Sequence, residues 1–258
     1  MKKHLFTLAT LLLTATISIA AQTKVIAHRG YWDTEGSAQN SLTALAKAAE
    51  VGCWGSEFDV WLTADGELVV FHDSTLGKGY DRPIVEMTAA EVTTHLLPNG
   101  EKVPTLAEYL NEALKYPELH LVLELKPHPT PTQEAEAAAK CVKMIEEAGL
   151  ANRTDYISFS LGACREFHSQ APTAKVFYLN GNLSPKELKE EGFAGPDYHF
   201  AIYQLHPKWM SQCRSLELET NVWTVNAESI MRKFVRKGVD YLTTNRPEEA
   251  LRLVRGEK

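Results

Sequence analysis

The sequence predicts a parallel (β/α)8 barrel of the TIM class, and three observations carry that expectation. Eight strand-like runs recur along the chain, near residues 25, 57, 122, 156, 176, 200, 222 and 241, each followed by a helix-like segment. The segment 22–258 has the length of one such barrel, ~250 residues. Charged residues also alternate within strands, Glu57 with Asp59 and Glu124 with Lys126. In an open sheet that face would be solvent, whereas a closed parallel barrel covers both faces and turns such pairs into its mouth.

The first 21 residues read as a separate unit. Lys2 and Lys3 form a basic start, Leu5 to Ile19 are nearly all apolar or small, and Ala20 and Ala21 offer a cleavage site. The expectation is a secretory leader over 1–21 and a single barrel domain over 22–258, exported to a periplasmic or extracellular compartment. No later run approaches the roughly 18 apolar residues of a membrane span, so no membrane insertion is expected after cleavage.

The first barrel strand is Val25-Ile26-Ala27, ended by His28-Arg29-Gly30. A buried strand stopping at a glycine places its last residues on the face where such barrels do their chemistry. A polar loop leads to a helix capped by Asn40 or Ser41, with Leu42, Leu45, Ala46 and Ala49 at helical spacing and Gly52 as its stop. Residues 56–61 form the second strand. The turn at Asp65-Gly66 predicts a hairpin back through Leu68 to Phe71, carrying His72-Asp73 at its end. Residues 74–104, rich in Gly and Pro, read as an excursion over the site face without an apolar core of its own.

Thr105 caps a helix through Lys115, and 120–126 is the next strand, ended by Pro127 and Pro129. A helix over 132–148, a strand over 156–160 and a helix over 161–170 follow. A strand over 175–179 and a helix opened by Pro185 come next. Tyr198 to Tyr203 reads as a strand, followed by a helix after Pro207. Strands over 221–225 and 238–243, a helix over 227–237 and a last helix from Pro247 complete the pattern.

The net charge of −6 and the lack of a basic run argue against a nucleic-acid partner. Cys53, Cys141, Cys164 and Cys213 show no CxxC spacing, which argues against a zinc cluster; all four are expected to be free and mostly buried.

Three carboxylates, Glu57, Asp59 and Glu124, should converge at the barrel mouth. Buried like charges repel unless something neutralises them. All-oxygen ligation points to a hard divalent cation, Ca²⁺ or Mg²⁺. That leaves His28 and His72 for proton transfer. With Arg29 and Lys126, which suit phosphate, they make a kit for phosphate-ester cleavage. The other histidines read as structural, with His199 ambiguous.

In order and spacing, several motifs resemble the glycerophosphodiester phosphodiesterases. They are His28-Arg29-Gly30, Gln39-Asn40-Ser41, Glu57-Phe58-Asp59-Val60, Thr63-Ala64-Asp65-Gly66, His72-Asp73, Glu124-Leu125-Lys126, Trp223-Thr224-Val225-Asn226 and Thr244-Asn245-Arg246-Pro247. The resemblance covers nearly all of segment 22–258. It implies a TIM barrel with a short insertion after the second strand. It also implies hydrolysis of a small-molecule glycerophosphodiester to glycerol 3-phosphate and an alcohol, through a cyclic phosphate. By matching position, Glu57, Asp59 and Glu124 would hold the metal. His28 and His72 would be the acid–base pair, Arg29 and Lys126 would grip the phosphate, and Trp223 would wall the glycerol.

Two positions depart from the family pattern. Gln39 stands where the family usually has Glu, and Asn245 where it usually has Asp. Each replaces a carboxylate by a neutral amide. Metal binding is expected to survive on the three remaining carboxylates, while the reading of the substrate's ends would differ. Two other readings compete. One is a phospholipase D-type cleavage of lysolipids, which needs an apolar ramp such as Leu76, Tyr80, Ile84, Met87, Leu96 and Leu97 would offer. The other is a non-catalytic phosphodiester-binding barrel.

Overall fold

A computed structural model describes residues 22–257, and the leader expected over 1–21 lies outside the described residues. Eight parallel strands close into a barrel: β1 (Lys24–Ala27), β2 (Gly55–Leu62), β4 (His120–Leu125), β5 (Thr154–Ser158), β6 (Val176–Tyr178), β7 (Gly195–His199), β8 (Asn221–Trp223) and β9 (Tyr241–Thr244). β9 pairs with β1 over four residues, and β1 with β2 over two, which closes the ring. The TIM-class expectation therefore holds, with one added strand. β3 (Leu68–Val70) runs antiparallel to the end of β2, Val60 to Leu62, where β2 rises past β1.

Alternation divides each strand between two layers. On β2, Phe58 faces the helices and stacks on Tyr109 of α3 (Leu106–Ala113) with ring centroids 4.3 Å apart, while Glu57 and Asp59 face the lumen. The lumen is filled below the mouth by Ile26, Val122, Ile157, Phe177 and Tyr241. The outer layer buries a larger apolar cluster between strands and helices, including α1 (Leu42–Glu50), capped by Ser41, and α4 (Pro131–Glu147), capped by Thr130. The four cysteines are free and buried. Among the described residues no helix is long and apolar enough to cross a membrane.

Three expectations need correction. The strand read over 198–203 is β7, at Gly195–His199, and Phe200–Leu205 is instead a helix. His199 Nδ1 accepts from Ala201 N–H at 3.3 Å, so the ring caps that helix and starts it where the apolar run suggested extended chain. Other element ends shift by one to three residues. The 74–104 excursion does own an apolar cluster. Leu76, Ile84, Val92 and Leu97, around a 3-10 turn and α2 (Ala89–Val92), pack on Trp61 and Val69 of the hairpin.

Gly195 opens β7 because no side chain fits there. A Cβ at this position would lie 1.9 Å from the Glu219 carbonyl oxygen. That close approach seats the inner face of β7 against the start of β8.

Candidate active site

Glu57, Asp59 and Glu124 meet at the C-terminal mouth, as their strand positions require. β2 and β4 pair with Asp59 opposite Glu124 and Glu57 opposite Val122, so three carboxylates on two neighbouring strands come together in adjacent lumen positions. One oxygen from each lies within 4.8 Å of the others, and all three side chains are buried. Among the described residues this is the acidic group whose ligand atoms converge.

Their protonation shows what the arrangement costs. Burial, then the neighbouring Asp59 and Glu124 charges, hold the Glu57 carboxyl well above its usual range. Burial likewise raises Glu124 to about 7, against the pull of Lys126. Burial also opposes ionisation of Asp59, but Lys126, His72, Arg29 and the Asn40 hydrogen bond outweigh it and hold that carboxyl down at about 2. Lys126 Nζ lies 2.6 Å from Asp59 Oδ1 and 2.7 Å from Glu124 Oε1, and those two charges keep it protonated despite burial. Lys126 is thus shared by two of the three acids, Asp59 and Glu124. Glu57 Oε1 is buried with no hydrogen-bond partner. An orphaned carboxylate oxygen facing two other carboxylates fits a hard divalent cation, which takes oxygen ligands.

The turn after β1 brings His28 and Arg29 to this floor. Arg29 and Gly30 both adopt positive φ, 58° and 74°. A Cβ on Gly30 would press into Ala44 of α1, at 2.6 to 2.8 Å from its atoms, so glycine lets the loop fold back onto that helix. The reversal aims the Arg29 backbone N–H at Glu57 Oε2, 2.8 Å away, and leaves its guanidinium over Asp59, with Nε 3.6 Å from Oδ2. Asn40 completes the brace. Its Nδ2 donates to Asp59 Oδ2 at 2.8 Å, and its Oδ1 accepts from Asp59 N at 3.2 Å.

The two histidines line the same pocket from different segments, His28 after β1 and His72 after β3. His28 Nδ1 is 2.7 Å from Asn245 Oδ1, which makes Nδ1 the hydrogen-bearing nitrogen and leaves Nε2 free. The Asn245 backbone is itself fixed by Asn226 Oδ1, which accepts from its N–H at 2.9 Å. Burial and then Arg29 lower His28 to about 4. His72 rides the end of the hairpin. Phe71 N donates to the Asp59 carbonyl at 3.0 Å, tying the hairpin end to the acidic floor, and His72 Nδ1 is 2.6 Å from Asp73 Oδ1. Burial lowers His72 below its ordinary value.

His28, Arg29, Glu57, His72, Glu124 and Lys126 line one pocket of about 100 Å³, which Trp223 also lines. A groove of about 670 Å³ adjoins it, with His72 lining both. All eight residues singled out in the sequence therefore meet at the mouth. The departures also find partners: Gln39 Oε1 accepts from Arg29 Nη1 at 2.6 Å, and Asn245 orients His28. Reading the sequence missed Asp197, a buried carboxyl in the same pocket. Its signal was weak because Pro196 beside it reads as loop. Of the remaining histidines, His128 Nε2 accepts from Leu62 N at 3.0 Å and stacks edge-on with Trp61, a structural setting.

Residues 28–249 match the model of the glycerophosphoryl diester phosphodiesterase family. A glycerophosphodiester phosphodiesterase of Caldanaerobacter subterraneus is 30% identical over 247 residues, covering 91% of this chain and 98% of that one. A crystal structure of a glycerophosphodiester phosphodiesterase from Parabacteroides distasonis superposes with a TM-score of 0.88 at 49% identity, over 92% of this chain and 98% of that one. A phosphodiesterase of Oleispira antarctica, solved with its product sn-glycerol 3-phosphate, superposes with a TM-score of 0.76 at 25% identity, over 91% and 97%.

Proposed function

The chain belongs to the glycerophosphoryl diester phosphodiesterase family and is a phosphoric diester hydrolase, and from that premise we propose a reaction, a cofactor and a role for each residue at the barrel mouth. The reaction is hydrolysis of a glycerophosphodiester to glycerol 3-phosphate and an alcohol, through a cyclic phosphate. The observation that carries this reading is the pair of histidines lining one pocket with Arg29, Lys126 and the carboxylates.

Arg29 and Lys126 bind the phosphate, the guanidinium as a fork and the ammonium as a point charge. Neutral His28 takes the proton of the glycerol 2-hydroxyl as its oxygen attacks phosphorus. The bond from phosphorus to the alcohol oxygen breaks, and His72, on the groove side, gives that oxygen a proton. Asp73 orients the His72 ring and favours its protonated form. Water then opens the cyclic phosphate with the two roles reversed. Glu57, Asp59 and Glu124 hold a divalent cation, Ca²⁺ or Mg²⁺, whose charge when bound offsets the charge developing on the non-bridging oxygens. Trp223 walls the pocket on the glycerol side, and the groove beyond His72 takes the alcohol.

Of the six residues that could form an apolar ramp for lysolipids, Leu76, Ile84, Met87 and Leu97 are buried in the excursion's own cluster. That leaves Tyr80 and Leu96 exposed and favours a small, water-soluble substrate. A binding-only barrel is disfavoured because both histidines and all three carboxylates are in place.

The test is release of glycerol 3-phosphate from glycerophosphocholine and glycerophosphoethanolamine by purified protein. Release is expected with added Ca²⁺ or Mg²⁺ and is expected to stop with EDTA. A folded protein inert with every metal would overturn the reading. Residues 1–21 act as an export leader in this proposal, supported by their basic start, apolar run and small residues at the end. The protein recovered from outside the cytoplasm should then have the mass of a chain that begins near residue 22; an uncleaved mass would refute this.

A further inference from the structure

The small pocket has two unlike halves. Phosphate chemistry accounts for the charged half, from His28 round to Lys126. The other half is apolar, built from Ile157, Phe159, Leu179 and Trp223, with Asp197 and Thr243 set into it. None of the roles above uses Asp197. It lies on the lumen side of β7, opposite Asn221 in the strand pairing, and is only 2% exposed. Its Oδ1 is buried and has no hydrogen-bond partner.

The neighbours of Asp197 have other commitments. Asn221 exchanges hydrogen bonds with Thr243 Oγ1 at 3.1 to 3.2 Å and accepts from Val222 N at 2.7 Å, so this amide is already engaged. The Trp223 indole N–H donates to the Asp197 backbone carbonyl at 2.8 Å, which pins the ring as a wall. Phe159 meets Trp223 edge-on at 5.6 Å and closes the same side. Burial, then the Glu124 charge, raise the Asp197 carboxyl well above its ordinary range, which favours its protonated form, and that form can both donate and accept. An apolar recess with one unspent polar atom matches a short carbon chain that ends in a neutral hydroxyl.

We propose that Asp197 reads the terminal hydroxyl of the glycerol unit, the one furthest from phosphorus, and so restricts the enzyme to diesters of glycerol rather than of shorter or deoxygenated diols. The assignment rests on the glycerophosphodiester reading of the site. With phosphate on Arg29 and Lys126 and the 2-hydroxyl at His28, the third carbon points into the apolar half. Its hydrogens meet Trp223, and its oxygen meets the Asp197 carboxyl. A ligand without that oxygen leaves a buried polar group unpaired, which is a strong basis for rejection.

The experiment is read in binding, so it does not depend on turnover. The probes are sn-glycerol 3-phosphate and propane-1,2-diol 1-phosphate, which lacks only the terminal hydroxyl. Both are titrated calorimetrically at saturating Mg²⁺ or Ca²⁺ into the wild type and into Asp197→Asn and Asp197→Val. The wild type should prefer the glycerol compound by about 20-fold. Asp197→Asn, which keeps a donor and an acceptor, should retain most of that preference, and Asp197→Val should reduce it to about 3-fold or less. Asp197→Ala stands in if the valine variant melts too low to titrate. A wild type that binds both compounds alike overturns the proposal, and so does a valine or alanine variant with the full preference. Lost turnover with an intact preference would instead count against the hydrolase reading alone.

Discussion

His28→Ala is expected to lower kcat on glycerophosphodiesters by about 10³-fold, within the range a positioned general base contributes. The variant should fold normally, because the ring's hydrogen bond to Asn245 is a loop contact and the β1 backbone keeps its pairing with β9. It should also bind sn-glycerol 3-phosphate within about tenfold of the wild type, since Arg29 and Lys126 remain to hold the phosphate. Activity within tenfold of the wild type would remove His28 from the mechanism. Steady-state kinetics alongside a melting curve decide the matter. His72→Ala should behave similarly, but its loss should shrink for substrates whose alcohol is already acidic, because such a leaving group needs no proton.

Glu57→Gln is expected to cut activity by about 10³-fold, the several kcal/mol of charge stabilisation that a bound cation supplies. It should at the same time stabilise the metal-free protein. Glu57 has its carboxyl held well above the usual range, so the folded state binds that proton more tightly than the unfolded chain does. Stability from this group is therefore present below the unfolded value of 4.5 and lost as pH rises through the folded one. Glutamine mimics the protonated acid and escapes that loss. At pH 8 with chelator the variant should be more stable than the wild type in a denaturant melt. Adding Mg²⁺ or Ca²⁺ should raise the melting temperature of the wild type and leave that of the variant nearly unchanged. A variant that gains as much from the cation as the wild type would show that Glu57 is not a ligand.

The barrel and its floor were legible in the sequence because both are local. Glu57 and Asp59 two residues apart on an otherwise apolar strand, and the same pattern at Glu124 and Lys126, dictate side-chain direction once the sheet is closed. His28 was legible because Gly30 ends its strand. Other features depended on distant partners. β7 was displaced along the chain because Phe200-Ala201-Ile202-Tyr203 carries an apolar run, while Gly195 and Pro196 look like breakers. Only the close approach to Glu219 and the His199 cap reverse that reading. Asp197 was hidden with them. The excursion's core escaped notice because Ala38, Trp61 and Val69, which complete it, come from three other segments. The braces of Asn40 on Asp59 and of Asn226 on Asn245 likewise join residues far apart in the chain.

The antiparallel hairpin divides the chemistry between two kinds of architecture. His28 grows from a strand of the ring itself, whereas His72 hangs from a ribbon that leaves the ring and is steadied by its own apolar cluster. The ring is shared property: every strand has two neighbours, and a change there propagates. The ribbon and its excursion answer chiefly to themselves. Their sequence is free to drift, lengthen or be exchanged for another while the carboxylates stay where they are. Enzymes built this way can acquire new leaving groups without rebuilding the means of attacking phosphorus. The same independence has a corollary: a substitution at Ile84 or Val92, remote from any substrate, would reach the reaction by tilting one imidazole.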